Sequence, residues 1–357
     1  MDNNIDISQE SVEIKHIRRV RYSGTHPKKF SEKYKELHPE KYATDVEKII
    51  CSGRTPAGMH ISICVNEILD FLQIESGHIG LDATLGYGGH ARKMLECLNG
   101  KGHLYAIDVD PIEIQKTKAR LNGLGFNDSI LTVKELNFAN IEKVAENNEK
   151  FDFVLADLGL SSMQIDNPDR GFTYKYDGPL DLRLNPSVGV TAAQRLKELS
   201  EEELEELLFT NADETYAKQI ASEIIKQRDN GIDITTTKQL AQIITDALEP
   251  ITLEDRKYET KKSCQRTFQA LRIDINKEYE VLSQFLEKLP SVLASGGRVA
   301  ILTFHSGEDR LVKKSFKKFK TEGLYSQVAK DVIRPSLEEC YNNPRAHSAK
   351  MRWAIRV

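Results

Sequence analysis

Four short apolar segments, separated by stretches with helical periodicity, most constrain the fold of this chain of 357 residues. They are IGLDATL (79–85), HLYAIDV (103–109), ILTVKEL (130–136) and FDFVLADL (151–158). The stretches between them, such as DPIEIQKTKARLNGLG, carry apolar residues at helical intervals and end in glycine. Strands that alternate with helices predict βαβ units and a parallel sheet. We therefore expect an α/β protein with a Rossmann-like sheet.

The alternation stops after Asp157 and resumes towards the C-terminus. From about residue 160 to 275 the sequence is rich in turn residues and then helical, and Ser200 and Glu203 have capping-box spacing. Strand character returns at GRVAILTFH (297–305) and MRWAIRV (351–357), which we expect to pair. The sequence thus predicts an α/β domain from 59–164 and 276–357, a mostly helical insertion at 165–275, and a basic N-terminal extension at 1–58.

Composition and charge exclude several classes of protein. No segment approaches the roughly 20 apolar residues of a membrane-spanning helix, and the polar N-terminus lacks the apolar core of a secretory signal. The five cysteines are scattered without zinc or redox spacing, which predicts reduced thiols in the cytoplasm. The net charge is −4, but basic residues concentrate in 15–41 and 310–320. This asymmetry indicates either a polyanion on one face or solvated helix faces.

The stretch DATLGYGGH after the first strand predicts a cofactor site, because ligands of open α/β sheets bind beyond the carboxyl ends of the strands. An acid ends the second strand about 20 residues later, where it commonly binds ribose hydroxyls. A pyrophosphate favours a fuller G-x-G-x-x-G pattern, whereas a sulfonium cofactor with an amino-acid tail suits an acid beside the turn. S-adenosylmethionine is therefore favoured over NAD, which stays an alternative. The predicted contacts are Asp82, Gly86, Gly88, Gly89, His90 and Asp108.

The end of the fourth strand, ADLGLSSMQID, is where an acceptor is expected to meet the cofactor. The lone pair of an exocyclic base amine is delocalised into the ring. Hydrogen bonds from that amine to a carboxylate and to backbone carbonyls make it more nucleophilic and hold it in line. Asp157, with the turn at Ser161 and Ser162, is the predicted catalytic group. Alternatively, Asp157 only caps the strand while the serines satisfy a turn.

Seven signatures, in order along the chain, carry a resemblance to a known family. They are DATLGYGGH, AIDVDP, DLGLSSMQID, RGFTYKYDGPLDLRLN, SCQRTFQALRIDINKE, LTFHSGEDRLVK and NPRAHSAKMR. From about Met59 onwards the chain resembles the bacterial 16S rRNA cytosine-N4 methyltransferases of the MraW or RsmH type. The resemblance implies a class I (Rossmann-like) methyltransferase sheet with an inserted, mostly helical domain. It also implies S-adenosylmethionine as cofactor and a cytidine in the decoding centre of small-subunit rRNA as substrate.

The resemblance also implies roles for individual residues. The cofactor contacts it implies are Gly88, Gly89, His90, Asp108, Phe138, Asp157 and Gln164, with Phe138 beside the adenine. The chain departs from the family pattern at Asn185, Gly307 and His347, where aspartate, leucine and arginine are usual, and in its N-terminal extension. The change at His347 removes a permanent cation that could hold phosphate.

A substrate surface is predicted from the polar residues of the remaining signatures. Its members are Tyr174, Asp177, Asp181 and Arg183 as a lid or base pocket, His305 as a lining residue, and Arg266, Arg272 and Arg345 as phosphate contacts. Well-bonded loops and surface ion pairs are the structural alternatives. Asp309 is expected to pair with Arg310. A metal held by His305, Glu308 and Asp309 is not favoured, because no other ligand cluster accompanies them.

The expected reaction is direct methyl transfer to an unstacked cytosine amine, without a covalent intermediate or a cysteine nucleophile. The expected partner is 16S rRNA or the small ribosomal subunit, with no membrane, and a homodimer is an open alternative to a monomer. Competing hypotheses are an NAD-type oxidoreductase and a non-catalytic RNA-binding or assembly factor on the same fold. A DNA amino-methyltransferase is disfavoured because the D/N-P-P-Y/F motif is absent.

Overall fold

The computed structural model describes residues 62–144, 149–250 and 255–357, so the predicted extension at 1–58 lies outside the described residues. Within them, a seven-stranded sheet has the order β3-β2-β1-β4-β5-β7-β6. Strands β1 to β5 are parallel, and β7 runs antiparallel between β5 and β6. The strands are β1 Ile79–Asp82, β2 His103–Asp108, β3 Leu131–Glu135, β4 Phe151–Asp157, β5 Leu293–Thr303, β6 Tyr325–Val328 and β7 Lys350–Arg356.

Helices connect and cover the strands. Those around the sheet are α1 Val65–Leu72, α2 Gly89–Leu98, α3 Pro111–Gly123 and α4 Ser162–Asp166, and those of the central segment are α5 Ala192–Glu198, α6 Glu201–Ala212, α7 Ala217–Asp229, α8 Thr237–Leu248 and α9 Arg256–Asn276. The last three are α10 Glu278–Val292, α11 Ser306–Thr321 and α12 Leu337–Asn342. Among all the helices in the described residues, none has the length and apolar character needed to cross a bilayer.

Both faces of the sheet are buried, which explains why its strands are nearly continuous apolar runs. Along β4, Phe151 and Val154 belong to the core beneath α10 and α11, whereas Phe153 and Leu155 belong to the opposite core beneath α1 and α2. The predicted α/β sheet and the predicted pairing of the last two apolar runs, β5 and β7, are confirmed.

The central helices α5 to α9 pack on one another around an apolar core of their own. Ser200 caps α6, and its side chain and that of Glu203 form the predicted capping box. Within the described part of 158–275, extended pairing is limited to the isolated bridge between Pro179 and Thr236. The boundaries of the insertion at 165 and 275 stay a prediction.

Two features of the sheet were not predicted. Strand β6 is a short edge strand that pairs only with β7, and its exposed Ser326 and Gln327 weaken the apolar signal. Strand β5 begins at Leu293, before Gly296 and Gly297, rather than at 297. Because glycine is a poor strand residue, the sequence pattern places the start of this strand too late.

Candidate active site

The glycine turn joins β1 to α2 at the carboxyl edge of the sheet. Gly88 caps α2 with a φ of 76°, in the left-handed region, and Gly86 has a φ of 46°. A Cβ at Gly88 would lie 2.7 Å from Cγ2 of Thr117, so the turn closes against α3 without room for a side chain. The Thr117 hydroxyl donates a 2.7 Å hydrogen bond to the carbonyl of Gly86. Glycine is therefore required at 88 by both conformation and space.

The acid at the end of β2 faces this turn, as the spacing predicts. One carboxylate oxygen of Asp108 accepts a 2.7 Å hydrogen bond from the amide of Gly86, and the other accepts a 2.9 Å bond from the amide of Asp110. Burial raises the pKa of Asp108 to about 6, although these amide donors oppose the rise. Asp108 thus lies where it could exchange an amide partner for a ligand hydroxyl.

The ends of β1 and β4 bring two carboxylates together. Asp82 is buried, and its Oδ1 accepts a 3.1 Å hydrogen bond from the amide of Thr84. The hydroxyl of Thr84 in turn accepts a 2.6 Å hydrogen bond from the amide of Asp157. Among the described residues, the buried Oδ2 of Asp82 and Oδ1 of Asp157 have no hydrogen-bond partner. Unpaired buried acceptors are costly, so this arrangement suits a ligand that brings donors.

His90, in the first turn of α2, lies beside both carboxylates. Its Nε2 is 3.4 Å from Oδ2 of Asp157, a close charge contact rather than a well-formed hydrogen bond. Burial raises the pKa of Asp82 to about 7, against the opposing effect of His90. Burial alone would lower the pKa of His90, but the carboxylates of Asp157, Asp82 and Glu339 outweigh it and raise that pKa. The surrounding carboxylates therefore favour the protonated, positively charged form of His90.

The turn after β4 is held by its own side chains. The Ser161 hydroxyl accepts the amide of Gln164 at 3.2 Å, and Oε1 of Gln164 accepts the amide of Ser161 at 2.9 Å. Nε2 of Gln164 donates to Asp110 at 2.8 Å. Ser161 therefore acts as the cap of α4, in line with the structural alternative, and Ser162 is the first residue of that helix.

Phe138 follows β3 and opens a short 3₁₀ helix, Phe138–Lys143, at the same edge of the sheet. Its ring meets that of Phe285 edge to face, with the centroids 5.0 Å apart. It is partly buried against the core beneath α10. The ring is thus fixed in place at the sheet edge, and the exposed part of it is available to an apolar ligand surface.

The predicted lid residues lie in the segment before α5 and already have protein partners. The hydroxyl of Tyr174 is 3.4 Å from the carbonyl of Lys261, and burial raises the pKa of this tyrosine. Asp177 is exposed and accepts the amide of Lys238 at 3.3 Å. Asp181 and Arg183 form a two-pronged ion pair with both contacts at 2.7 Å. The segment is therefore a well-bonded loop, whatever else it binds.

The arginines predicted as phosphate contacts are each paired with a carboxylate. Arg266 meets the buried Glu214 at 2.9 Å, Arg272 meets Glu278 at 2.7 Å, and Arg345 meets Asp166 at 2.8 Å. These pairs favour the structural alternative, because a phosphate would have to compete with a carboxylate at a short distance.

The neighbourhood of His305 differs from the expectation. Its Nε2 is 3.2 Å from Glu308, and these two residues cluster with Glu278 within 4.8 Å. The expected pair of Asp309 with Arg310 is wrong, since Asp309 instead contacts Arg352 at 2.6 Å and Lys350 at 3.5 Å. Glu308 and Asp309 are consecutive residues of α11, so their side chains point in different directions. Asp309 is therefore separated from His305 and Glu308, the other two potential metal ligands.

Sequence reasoning missed a buried network behind the site. Asp110 caps α3, and its Oδ2 accepts hydrogen bonds from Gln164 at 2.8 Å and from Arg170 at 2.7 Å. The Asp-Pro pair before a helical pattern is a signal for the cap. The partner at Arg170 has no sequence signal, because it lies 60 residues away.

Comparisons with known proteins give a consistent result. Residues 57–357 match the model of the MraW methylase family. Ribosomal RNA small subunit methyltransferase H 1 of Lachnoclostridium phytofermentans is 64% identical over 348 residues, 98% of this chain and 95% of the relative. Ribosomal RNA small subunit methyltransferase H 2 of Alkaliphilus metalliredigens is 63% identical over 97% of this chain and 99% of its own length.

More distant similarities cover less of the chain. Ribosomal RNA small subunit methyltransferase H of Koribacter versatilis is 37% identical over 83% of this chain and 94% of its own length. Among solved structures, an S-adenosylmethionine-dependent O-methyltransferase from Thermotoga maritima has a TM-score of 0.40 and 12% identity, covering 87% of this chain and 71% of that one. That likeness is too small to support an inference about this chain.

Proposed function

Because the chain belongs to the MraW methylase family, we propose that it methylates the N4 amine of a cytidine in the decoding centre of small-subunit rRNA. The methyl donor is S-adenosylmethionine. The observation that carries the proposal is Asp157: it ends β4 beside the glycine turn, with Oδ1 buried and without a partner among the described residues. The similar proteins from Lachnoclostridium phytofermentans and Alkaliphilus metalliredigens are named ribosomal RNA small subunit methyltransferases, which supports the same substrate class.

The residues of the turn fit this donor. Gly86 and Gly88 give the turn its left-handed backbone conformation, Asp108 suits the ribose hydroxyls, and the unpaired Oδ2 of Asp82 suits an ammonium group. Phe138 would lie beside the adenine, and Gly89, His90 and Gln164 would complete the contacts. When bound, the donor supplies a methyl group on a positively charged sulfur. A dinucleotide fits less well, because the two unpaired acids would meet a pyrophosphate.

Asp157 orients the acceptor. Its free Oδ1 accepts a hydrogen bond from the N4–H of the base, while the Thr84 hydroxyl holds its backbone amide at 2.6 Å and His90 lies 3.4 Å from its other oxygen. The first contact holds the backbone at the end of β4 and the second places a histidine beside the carboxylate, so Asp157 is positioned to align the amine without a strong base. The methylated amine then releases its proton to water or to a nearby carboxylate.

The wider setting follows from this function. Residues 165–275 would recognise the substrate, with Tyr174 and Asp177 at the base, and residues 1–58 would add basic charge for RNA. Of the paired groups, Arg266, Arg272, Arg345 and His305 would take part only by exchanging their carboxylate partners. The chain would act in the cytoplasm on 16S rRNA or the small subunit, and a homodimer stays a prediction.

A matched pair of variants tests the role of Asp157. Asp157→Asn removes the charge at the carboxyl end of β4, and we expect kcat for methyl transfer to small subunits to fall by about a hundredfold at saturating donor. Asp152→Asn makes the same change at the other end of the strand, where the carboxylate accepts the amide of Ile79 at 2.8 Å, and should leave kcat unchanged. Tritium transfer to subunits from an unmethylated strain measures both.

Two results would count against the proposal. Equal kcat values for the two asparagine variants would remove Asp157 from the reaction. Binding of S-adenosylhomocysteine and of small subunits by the wild-type chain, without any methyl transfer, would instead favour the non-catalytic assembly factor. Calorimetry with S-adenosylhomocysteine gives the first of these binding constants, and filter binding of labelled subunits gives the second.

A further inference from the structure

Arg170 lies at the centre of the buried network behind the site. Its Nη1 donates to Oδ2 of Asp110 at 2.7 Å, and 8% of the Arg170 side chain and 0% of the Asp110 side chain are exposed. Its Nη2 donates to the carbonyls of Arg183 at 3.2 Å and of Leu184 at 2.7 Å. One guanidinium therefore joins a carboxylate of the sheet domain to two carbonyls before α5.

These contacts close a loop of the chain on itself. The carbonyl of Arg170 accepts a hydrogen bond from the amide of Leu182 at 3.4 Å. Residues 171–184 therefore form a loop that begins directly after Arg170 and whose last residues contact Arg170 again. At the start of this loop Gly171 has a φ of 73°, and a side chain there would collide with the carbonyl of Pro179. The loop contains Tyr174, Asp177, Asp181 and Arg183, the four predicted base-pocket residues.

The other end of the network reaches the glycine turn through two carboxylates. The amide of Asp110 donates to Asp108 at 2.9 Å, and Asp108 accepts the amide of Gly86 at 2.7 Å. A ligand that contacts Asp108 is thus separated from Arg170 by one further residue, Asp110, and a ligand that contacts Gly86 is separated by two, Asp108 and Asp110. Asp110 itself is buried and cannot replace a lost partner with water.

We propose that Arg170 is a positioning residue that couples the 171–184 loop to the cofactor turn, so that cofactor binding further stabilises the loop that receives the base. This coupling rests on the proposed function only for the identity of the base that the loop receives. A lysine could not do the same, because an ammonium on a flexible stem cannot present a planar fork to a carboxylate and two carbonyls at once. An arginine that served stability alone would leave the loop indifferent to the cofactor.

Hydrogen exchange measured by mass spectrometry on the full chain tests the coupling. In the wild type, S-adenosylhomocysteine should slow exchange in peptides from 171–184 by about tenfold, within the usual range of coupling between sites. In Arg170→Lys, S-adenosylhomocysteine should still bind, as calorimetry would show, but exchange in the same peptides should no longer respond. Asp110→Asn keeps an oxygen to cap α3 and should uncouple the loop in the same way.

The control is Arg195→Lys, the same change at an ion pair of α5, where Arg195 donates to Asp274 at 2.9 Å. This variant should retain the response of the loop. Methyl transfer gives a second readout: Arg170→Lys should raise KM for small subunits by about tenfold, with a smaller change in KM for the donor. A loop that responds equally in Arg170→Lys and in the wild type, or in neither, overturns the coupling alone. Failure of the wild type to bind S-adenosylhomocysteine overturns the proposed function as well.

Discussion

The buried carboxylate of Asp82 lowers the stability of the ligand-free protein, and its unpaired oxygen lies where a ligand amine could bind. Burial raises its pKa from 3.8 to about 7. Between those values the folded state binds more protons than the unfolded state, so the free energy of unfolding falls as pH rises from about 4 to about 7. Above pH 7 the contribution of Asp82 is constant, and below 3.8 it vanishes.

The change Asp82→Asn removes this titration. Two pH units, from 5 to 7, correspond to about 3 kcal/mol at 1.36 kcal/mol per unit, an upper bound since nearby groups titrate with Asp82. The difference in unfolding free energy between Asp82→Asn and the wild type should therefore grow by up to about 3 kcal/mol, in favour of the variant, between pH 5 and 8. The intrinsic cost of the asparagine cancels, because it is the same at both pH values.

Urea unfolding at pH 5 and pH 8, followed by circular dichroism, measures this difference. The asparagine variant should also bind S-adenosylhomocysteine less tightly than the wild type, since an amide offers no charge to an ammonium. A stability difference that stays constant between the two pH values would refute the reasoning. So would a variant that becomes relatively less stable at pH 8.

Two further predictions concern glycines. Gly88→Ala should lower the melting temperature and weaken S-adenosylhomocysteine binding, because φ is 76° and the new Cβ would lie 2.7 Å from Thr117. The control Gly100→Ala has a similar φ of 72° but open space around the new Cβ. It should lower the free energy of unfolding only by the about 1–2 kcal/mol that a left-handed conformation costs. Gly307→Leu introduces the residue expected there from the family resemblance. It should destabilise the chain, because the space is filled by the ring and hydroxyl of Tyr279. The added change Tyr279→Ala should restore much of the stability. Thermal melts of the single and double variants measure both.

The strands could be predicted from the sequence where burial on both faces made them continuous apolar runs. That condition holds for β4, whose side chains alternate between two cores, and fails for β6, where only Tyr325 is buried. The three acids of the site, Asp82, Asp108 and Asp157, were found for a related reason: parallel strands end at one edge, so residues that end them must meet there.

What could not be predicted are the partners across long distances in sequence. Arg266 and Arg345 look alike as isolated cations, and only the fold shows that each faces a carboxylate, 52 and 179 residues away in sequence. Asp110 could be read as a helix cap, but its second oxygen and the arginine that satisfies it, Arg170, are set by the insertion loop. Local patterns report local structure, and these ion pairs are not local.

In the proposed function, the carboxyl edge of the sheet directs a methyl group to the outer nitrogen of a cytosine. The most direct measurement is nucleoside mass spectrometry of 16S rRNA after small subunits from an unmethylated strain react with the chain and a deuterated methyl donor. We expect labelled N4-methylcytidine at a single position in the decoding centre, and its loss with Asp157→Ala. Label on a ring carbon, on a ribose or on another base would contradict it.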